Sequence, residues 1–464
     1  MTYHFVGIGG VSMSGIAMVL LNRGEKVTGS DRQESEDVTK LRAVGAEVFI
    51  GHSADNIKNP DVVVHTAAVK KDNPELVEAK KRGIPCVDRA AFLGEMMRDF
   101  ASSIAISGTH GKTTTTGMVA CIAVRAGIDP TVMIGGNLPQ IDGNIKIGDN
   151  NLLVLEACEY VDSFLSFNPS IAIITNIEAD HLDYFSGGMP QIRDSFQKFL
   201  ERLPEDGFAV VNKDNKNAAI VAGKAGRRTV YVSLADPTAD YFARDLEYSQ
   251  GKARFKVIAS ETKQSGDFEK TLDCRVADAP RNDIEIELNV FGEHNVYNAL
   301  CAFAACHQMG IAPEIIAKGL ASFVGTGRRF EYRGIAQGIS LYDDYAHHPT
   351  ELETTWTTAE NLSGENFFVF QPHTYTRTKA LWDDFILTLK KPKNLIIADI
   401  YSARENPIKG ITSEELARAC GAEYIDGTLE EIAEALKTRA KTSDNIITIG
   451  AGDVNKICDM FLKN

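Results

Sequence analysis

The sequence predicts an α/β fold built from three domains. Apolar runs of strand length alternate with helix-length segments along most of the chain. Two of these runs break into glycine turns that open helices, Gly7-Ile8-Gly9-Gly10 and Gly108-Thr109-His110-Gly111. In the last third, strands ending in polar or glycine turns recur and predict a sheet of its own. With 464 residues and 44% hydrophobic content, the chain is long enough for roughly two to four domains. We place them at residues 1–98, 99–322 and 323–464.

The 63 acidic against 49 basic residues give a formal charge of −14, which argues against nucleic acid and anionic membranes as partners. No run of about 18 apolar residues signals membrane insertion, and Tyr3-His4-Phe5-Val6-Gly7 lacks the basic segment of a signal peptide. A cytoplasmic protein acting on small molecules is expected. Cys86, Cys121, Cys158, Cys274, Cys301, Cys306, Cys420 and Cys458 form no Cys-x-x-Cys pair and read as reduced residues rather than metal ligands.

The first domain opens with a strand from Tyr3, the turn Gly7 to Gly10 and a helix from Ile16 to Leu21. A second strand from Lys26 ends near Asp31, where a dinucleotide fold carries its ribose-binding acid. Ser12 replaces the third glycine of that fingerprint, so the turn suits either a nicotinamide dinucleotide or another diphosphate ligand such as a UDP-linked one. Further strands at Glu47–Ile50, Val62–Thr66 and Pro85–Val87, with a helix at Pro74–Arg82, complete a small parallel sheet.

The central domain is organised around Ile104 to Thr116. An apolar strand enters a turn in which Gly108 and Gly111 aim backbone N–H groups at an anion, Lys112 supplies a cation, and Thr113 offers a hydroxyl to magnesium at the helix start. Ile106 stands five before Gly111, so this is the shorter Gly-Thr-x-Gly-Lys-Thr form of a triphosphate-binding loop. The run Leu152–Leu155 delivers Glu156 to a strand end, where a carboxylate reaches magnesium. After the strand Ile171–Thr175, Asn176 to Asp183 crowds polar groups: His181 is a candidate second metal ligand, with Asp180 and Asp183 to orient it. Residues 207–289 read as scaffold. His294, Asn295 and Asn298 then open a helix, suited either to a base edge or, for Asn295, to helix capping.

In the last domain, Gly325-Thr326-Gly327 reads as a hinge, followed by Arg328 and Arg329, which suit phosphate oxygens or a surface pair equally. Asp343 to Glu351 loads three acids, Asp343, Asp344 and Glu351, and His347-His348 into one strand-to-helix turn, without the helical spacing of a zinc site, so ligand contact is expected. Gln371 to Arg377, Tyr401 to Glu405 and Ile446 to Gly452 mark three further strand ends.

Taken in order, Gly7–Gly10, Gly108–Thr114, Asn176–Asp183, His294-Asn295, Arg328–Phe330 and Asp344–Glu351 resemble the peptidoglycan Mur ligase family across essentially the whole chain, most closely its alanine-adding branch. The resemblance implies a Rossmann-like first domain, a central P-loop ATPase domain and a Rossmann-like last domain. It implies ATP and Mg2+ as cofactors, UDP-N-acetylmuramate and L-alanine as substrates, and a monomer or homodimer. By the same likeness Gly108, Thr109, His110, Gly111, Lys112, Thr113 and Thr114 hold the phosphates, and Thr113, Glu156 and His181 bind metal. Asn176, His294, Asn295 and Asn298 would face adenine, with Arg328 and Asp344 also touching nucleotide. Lys112, Glu156, His181 and His347 carry catalysis, and His348 lines the alanine side. Gly9, Gly10, Ser30, Asp31, His52 and the Thr66–Val69 segment take the UDP part. Later-acting members carry a lysine where this chain has Phe196, and many relatives have aspartate at Cys158 and glycine at Ser12.

Overall fold

The computed structural model describes residues 1–66, 68–182, 184–249, 252–260, 283–290, 292–403 and 405–463. Asp183, Cys274 and Ala67 of the Thr66–Val69 segment lie outside the described residues. The chain divides into two compact units: one of Met1–Leu246, Arg254–Leu288 and His294–Phe323, the other of Glu247–Ala253, Asn289–Glu293 and Val324–Asn464.

The first unit holds two sheets. The smaller consists of β1 (Thr2–Val6), β2 (Lys26–Asp31), β3 (Glu47–Ile50), β4 (Val62–His65) and β5 (Cys86–Asp88), all parallel in the order β3-β2-β1-β4-β5. Its helices are α1 (Val11–Asn22), α2 (Glu36–Ala43), α3 (Pro74–Lys81) and α4 (Arg89–Met96). Strand order reverses between β2 and β4 on either side of β1, and ligands of such sheets bind at the carboxyl ends beside that switch.

The larger sheet begins with β6 (Ser102–Ser107), α5 (Lys112–Arg125), β7 (Thr131–Leu138), β8 (Gly143–Lys146), β9 (Leu152–Glu156) and β10 (Ile171–Ile174). It continues through α6 (Met189–Glu201), β11 (Phe208–Asn212), α7 (Lys216–Ala225), β12 (Thr229–Ser233), β13 (Tyr241–Ser249), β14 (Lys252–Ala259) and β15 (Ile284–Leu288), before α8 (Glu293–Gln308) and α9 (Pro313–Ser322). The order is β15-β14-β13-β12-β11-β10-β6-β9-β7-β8. β6 and β10 are buried at every position, as strands covered on both faces must be, and both lie near the middle of the sheet.

One apolar cluster runs through both sheets, from Phe5, Ile8 and Leu93 to Phe164, Phe196 and Phe199. Gly94 sets the closeness of that packing, because a Cβ there would lie 1.9 Å from the Ser166 carbonyl oxygen. Asn168 Nδ2 donates to the Gly94 carbonyl at 2.9 Å and closes the seam.

The second unit contains β16 (Glu331–Ala336), β17 (Ile339–Asp344), α10 (Pro349–Ala359), β18 (Asn366–Phe370), α11 (Tyr375–Ala380), α12 (Trp382–Leu389) and β19 (Asn394–Ile397). It ends with α13 (Ser413–Cys420), β20 (Glu423–Tyr424), α14 (Leu429–Arg439), β21 (Asn445–Ile449) and α15 (Lys456–Leu462). The order is β16-β17-β21-β18-β19-β20, with only β16 antiparallel to its neighbour. Period-two alternation splits its core: Phe368, Phe370, Ile447 and Ile449 pack with Trp356 and Phe385, whereas Val369, Ile446 and Leu341 pack with Ile432 and Ile457. No described helix is long and apolar enough to cross a membrane.

Candidate active site

β6 ends at Ser107 and the chain turns through Gly108 (φ 139°) and Gly111 (φ 85°) into α5. A Cβ on Gly108 would lie 2.1 Å from Thr175 Oγ1, and one on Gly111 2.4 Å from Asn298 Oδ1. Both the backbone and the available space therefore demand glycine. Asn176 clamps the turn, its Oδ1 accepting the His110 N–H at 2.8 Å and its Nδ2 donating to the His110 carbonyl at 3.0 Å. The Thr175 hydroxyl donates to the same carbonyl at 2.6 Å, and Thr109 Oγ1 accepts the Glu178 N–H at 2.8 Å. His110 Nε2 lies 3.5 Å from Glu178 Oε2. Thus the end of β10 fixes the shape of the loop after β6. α5 has neither a side-chain cap nor an acid in its first turn, so the N–H groups around Lys112, Thr113 and Thr114 are suited to an anion.

Lys112 Nζ is held by the carbonyls of Gly108 and, at 3.1 Å, Thr109, and by the Glu159 carboxylate at 3.0 Å. Burial alone would lower the ammonium's pKa, but Glu159 foremost among its acidic neighbours holds it above the ordinary lysine value. Lys112 is thus kept as a cation. Glu159 is the main residue that sequence reasoning missed here: its charge was visible, but its pairing with a lysine 47 positions away was not.

Glu156 ends β9, opposite Ile106 of β6. Its Oε1 accepts the Gly135 N–H at 2.6 Å, and both carboxylate oxygens would lie 3.2 Å from a Cβ on Gly135. Beyond it the chain is strained, with Val161 at φ 50° and Asp162 at φ 55°. A β-branched residue there is an outlier that the surroundings must enforce. Asp162 is anchored by the Ser195 hydroxyl and by Tyr184 Oη at 2.7 Å. His181, also at positive φ (52°), places its ring 4.7 Å from that of Tyr160 at a tilt of 39°, with Nε2 3.7 Å from Asp180. Phe196 is fully buried and meets Phe164 edge-on at 5.2 Å, a core role that needs no charge.

The structure brings Asn298 to Gly111, and Asn298 Nδ2 donates to Asn295 Oδ1 at 3.1 Å. Asn295 sits inside α8, not at its cap, one residue after His294.

At the first glycine turn, Gly7 and Ile8 donate to the Ser30 carbonyl at 2.8 and 2.9 Å, and Gly9 donates to Asp31 Oδ2 at 2.8 Å. Gly10 caps α1 without a side-chain bond. His52 and Thr66 follow β3 and β4, so Gly9, Gly10, Ser30, Asp31, His52 and Thr66 share one sheet edge.

The second unit carries its own polar cluster. The Arg328 fork is engaged by Asp343 at 2.8 Å and by the carbonyls of Gly452 (2.9 Å) and Gly450 (2.6 Å), whereas Arg329 lies 3.7 Å from Glu351. Asp344 is buried, accepts from the Thr355 hydroxyl at 2.7 Å, and is pushed up to about 6, chiefly by burial. The His347 Nδ1–H donates to the Tyr345 carbonyl at 2.9 Å, which makes Nε2 the acceptor in the neutral ring. Burial holds that ring's pKa below the usual histidine range. His348 has the opposite arrangement, its Nδ1 accepting from Thr350 N–H at 3.3 Å as the N-cap of α10. His373, which the sequence left without a role, stacks on Tyr401 at 5.6 Å and lies 6.1 Å from the His347 ring. Burial first, then His347 and Arg377, push its pKa down to about 4.

Three family models match the chain: the Mur ligase family catalytic domain over residues 2–101, the Mur ligase middle domain over 106–306, and the Mur ligase glutamate ligase domain over 328–452. The chain belongs to the Mur ligase family. It is 44% identical to a UDP-N-acetylmuramate–L-alanine ligase of Acetivibrio thermocellus, with 99% of this chain and 95% of that relative covered. It is 43% identical to one of Clostridium acetobutylicum, covering 99% and 97%. Among solved structures, a UDP-N-acetylmuramate-alanine ligase from Thermotoga maritima superposes with a TM-score of 0.79 at 27% identity, covering 100% and 98%. A murein peptide ligase from Psychrobacter arcticus shares the fold, with a TM-score of 0.70 at 24% identity and coverage of 100% and 98%.

For a Mur ligase, the residues around the central loop fit a magnesium ion by donor type. The Thr113 hydroxyl and the Glu156 carboxylate are hard oxygen donors, and magnesium takes only one or two protein carboxylates beside water and phosphate oxygens. Among the described residues no group of three or more His, Cys, Asp or Glu gathers as a cage of its own.

Proposed function

We propose that this Mur ligase couples ATP to the joining of L-alanine to UDP-N-acetylmuramate, giving UDP-N-acetylmuramoyl-L-alanine, ADP and phosphate. A lactyl carboxylate oxygen attacks the γ-phosphorus of ATP, ADP leaves, and an acyl phosphate forms. The alanine nitrogen attacks the acyl carbon, loses a proton, and the phosphate departs with the bonding electrons. The observation that carries this reading is Lys112, a half-buried cation held at an uncapped helix start beside a carboxylate-tipped strand.

The loop N–H groups and Lys112 offset charge that builds on the phosphoryl oxygens, in a geometry already fixed by Thr175 and Asn176. Thr113 and Glu156 would hold one magnesium ion and His181 a second, and the ions would supply positive charge to the phosphate oxygens. His347 keeps Nε2 as a proton acceptor for the alanine amine, because its other nitrogen is spent on Tyr345. Asp31 and His52, with the turn at Gly9 and Gly10, take the UDP portion, whereas Ser30, fully buried with its hydroxyl given to Glu75, backs His52 instead of touching the ligand.

Incubation with UDP-N-acetylmuramate, ATP and a panel of amino acids tests the reading. Phosphate release that needs both the UDP substrate and L-alanine is expected. Release without the UDP substrate, or with a preformed peptide in preference to alanine, would contradict it.

A further inference from the structure

A buried acid lies behind the first glycine turn. Glu75, at the start of α3, is fully buried, and its carboxylate gathers side chains from two strands and the segment that follows β3. Oε2 accepts from the Ser30 hydroxyl at 2.7 Å and lies 2.8 Å from His52 Nδ1. Oε1 accepts from Asn56 Nδ2 at 2.7 Å and lies 3.4 Å from Nε2 of the fully buried His4. Burial alone would raise the carboxyl's pKa, yet hydrogen bonds from His4, Ser30, Asn56 and His52 hold it below its ordinary value. The group is an anion.

That anion decides how His52 is protonated. Ser30 has a single hydroxyl proton and gives it to Glu75, so Ser30 Oγ, 3.0 Å from His52 Nδ1, is left as an acceptor. A bare Nδ1 lone pair would face two acceptors. Nδ1 therefore carries the proton, and Nε2 of the neutral ring is an acceptor. The His52 side chain is 18% exposed, and its Nε2 has no partner among the described residues. Ser30 links the same network to the turn, since its carbonyl holds Gly7 and Ile8.

We propose that Glu75 is a positioning residue for the nucleotide end of the substrate, setting the His52 tautomer so that Nε2 accepts an N–H of the bound base. The inference rests on the UDP site given above. It assigns a chemical preference: a uracil ring offers an N–H at position 3, whereas cytosine has a lone pair there and would face Nε2 acceptor to acceptor. Wrong pairing of this kind leaves a polar group unsatisfied and is rejected more strongly than a missing contact.

Two experiments test it. Long-range proton–nitrogen spectra of histidine-labelled wild-type protein, with the His52 signals assigned through H52Q, should show His52 protonated at Nδ1. An Nε2–H form would overturn the proposal whether or not any Glu75 variant folds. In E75Q, whose amide can turn an N–H toward His52 and reverse the tautomer, KM for the UDP substrate should rise about tenfold, the size of one charge-assisted hydrogen bond. KM for ATP should move less than about twofold, and the preference for UDP over CDP in calorimetry should shrink. An equal rise in both KM values, or an unchanged UDP preference, would contradict the assignment. If wild-type protein binds neither UDP nor the UDP substrate, the site itself fails rather than the role of Glu75.

Discussion

The two glycine turns of the first unit have the same local grammar and different surroundings. Each follows a parallel strand, opens a helix with no side-chain cap, and leaves that helix without an acid in its first turn. At Gly7–Gly10 the protein supplies an anion of its own, Asp31, to the Gly9 N–H. At Gly108–Gly111 it supplies a cation instead, Lys112, and holds it with Glu159. A turn already given a carboxylate suits hydroxyl and amide groups of a ligand, whereas one given a half-buried ammonium suits a polyphosphate. Glycine spacing alone does not separate these two, and the charges beside the turns do.

The largest expected effect follows from removing the cation. K112A should cost at least about 10³-fold in kcat/KM through lost charge stabilisation of the phosphoryl group. Calorimetry should show the UDP substrate bound as before. Loss of UDP-substrate binding would merge the two turns into one site.

A steric contrast comes next. G111A puts a Cβ 2.4 Å from Asn298 at φ 85° and should lose about 2–4 kcal/mol in denaturant unfolding, along with ATP binding. G10A, with its nearest atom at 3.6 Å and an extended backbone, should lose at most about 1 kcal/mol. D31N sharpens the contrast from the other side. Its KM for the UDP substrate should rise about tenfold while that for ATP stays put, as one charge-assisted bond to Gly9 is lost.

The smallest effect separates two buried acids by pH. Asp344, pushed up to about 6 by burial, binds its proton more tightly folded than unfolded, so stability falls as pH rises from about 4 to 6. D344N should flatten that slope, by on the order of 1 kcal/mol. Glu75 is held below its ordinary value by its donors, so its contribution runs the other way and is lost as pH falls. Unfolding curves carried from about pH 6 down past the ordinary carboxylate range would show both slopes, that of Asp344 above about pH 4 and that of Glu75 below it.

Periodicity and punctuation made much of the fold legible. The strand expected at Glu47–Ile50 is β3 residue for residue, the helix from Pro74 is α3, and Leu152–Leu155 with Glu156 is β9. Strand ends were legible because the apolar runs stop at or just before Glu156, Asn176 and Asp344. Pairing at long range was not. Nothing near Asn298 indicates that it packs on Gly111, 187 positions earlier, and nothing near Asn176 shows its amide spent on His110. Nothing near Glu75, an acid in a first helical turn, signals its burial by His4, Ser30 and His52, which depends on how β1, β2 and the segment after β3 come together. The positive φ angles of Val161 and Asp162 contradict local preference and are imposed by tertiary contacts to Tyr184 and Ser195.

The most direct test follows oxygen from the acid to the phosphate. UDP-N-acetylmuramate labelled with 18O in its lactyl carboxylate, turned over with ATP and L-alanine, should deliver one labelled oxygen to each inorganic phosphate released, because the carboxylate oxygen that attacks phosphorus leaves with it. Unlabelled phosphate, with one label kept in the product amide and the other lost to water, would show that the turn at Lys112 does not activate that acid.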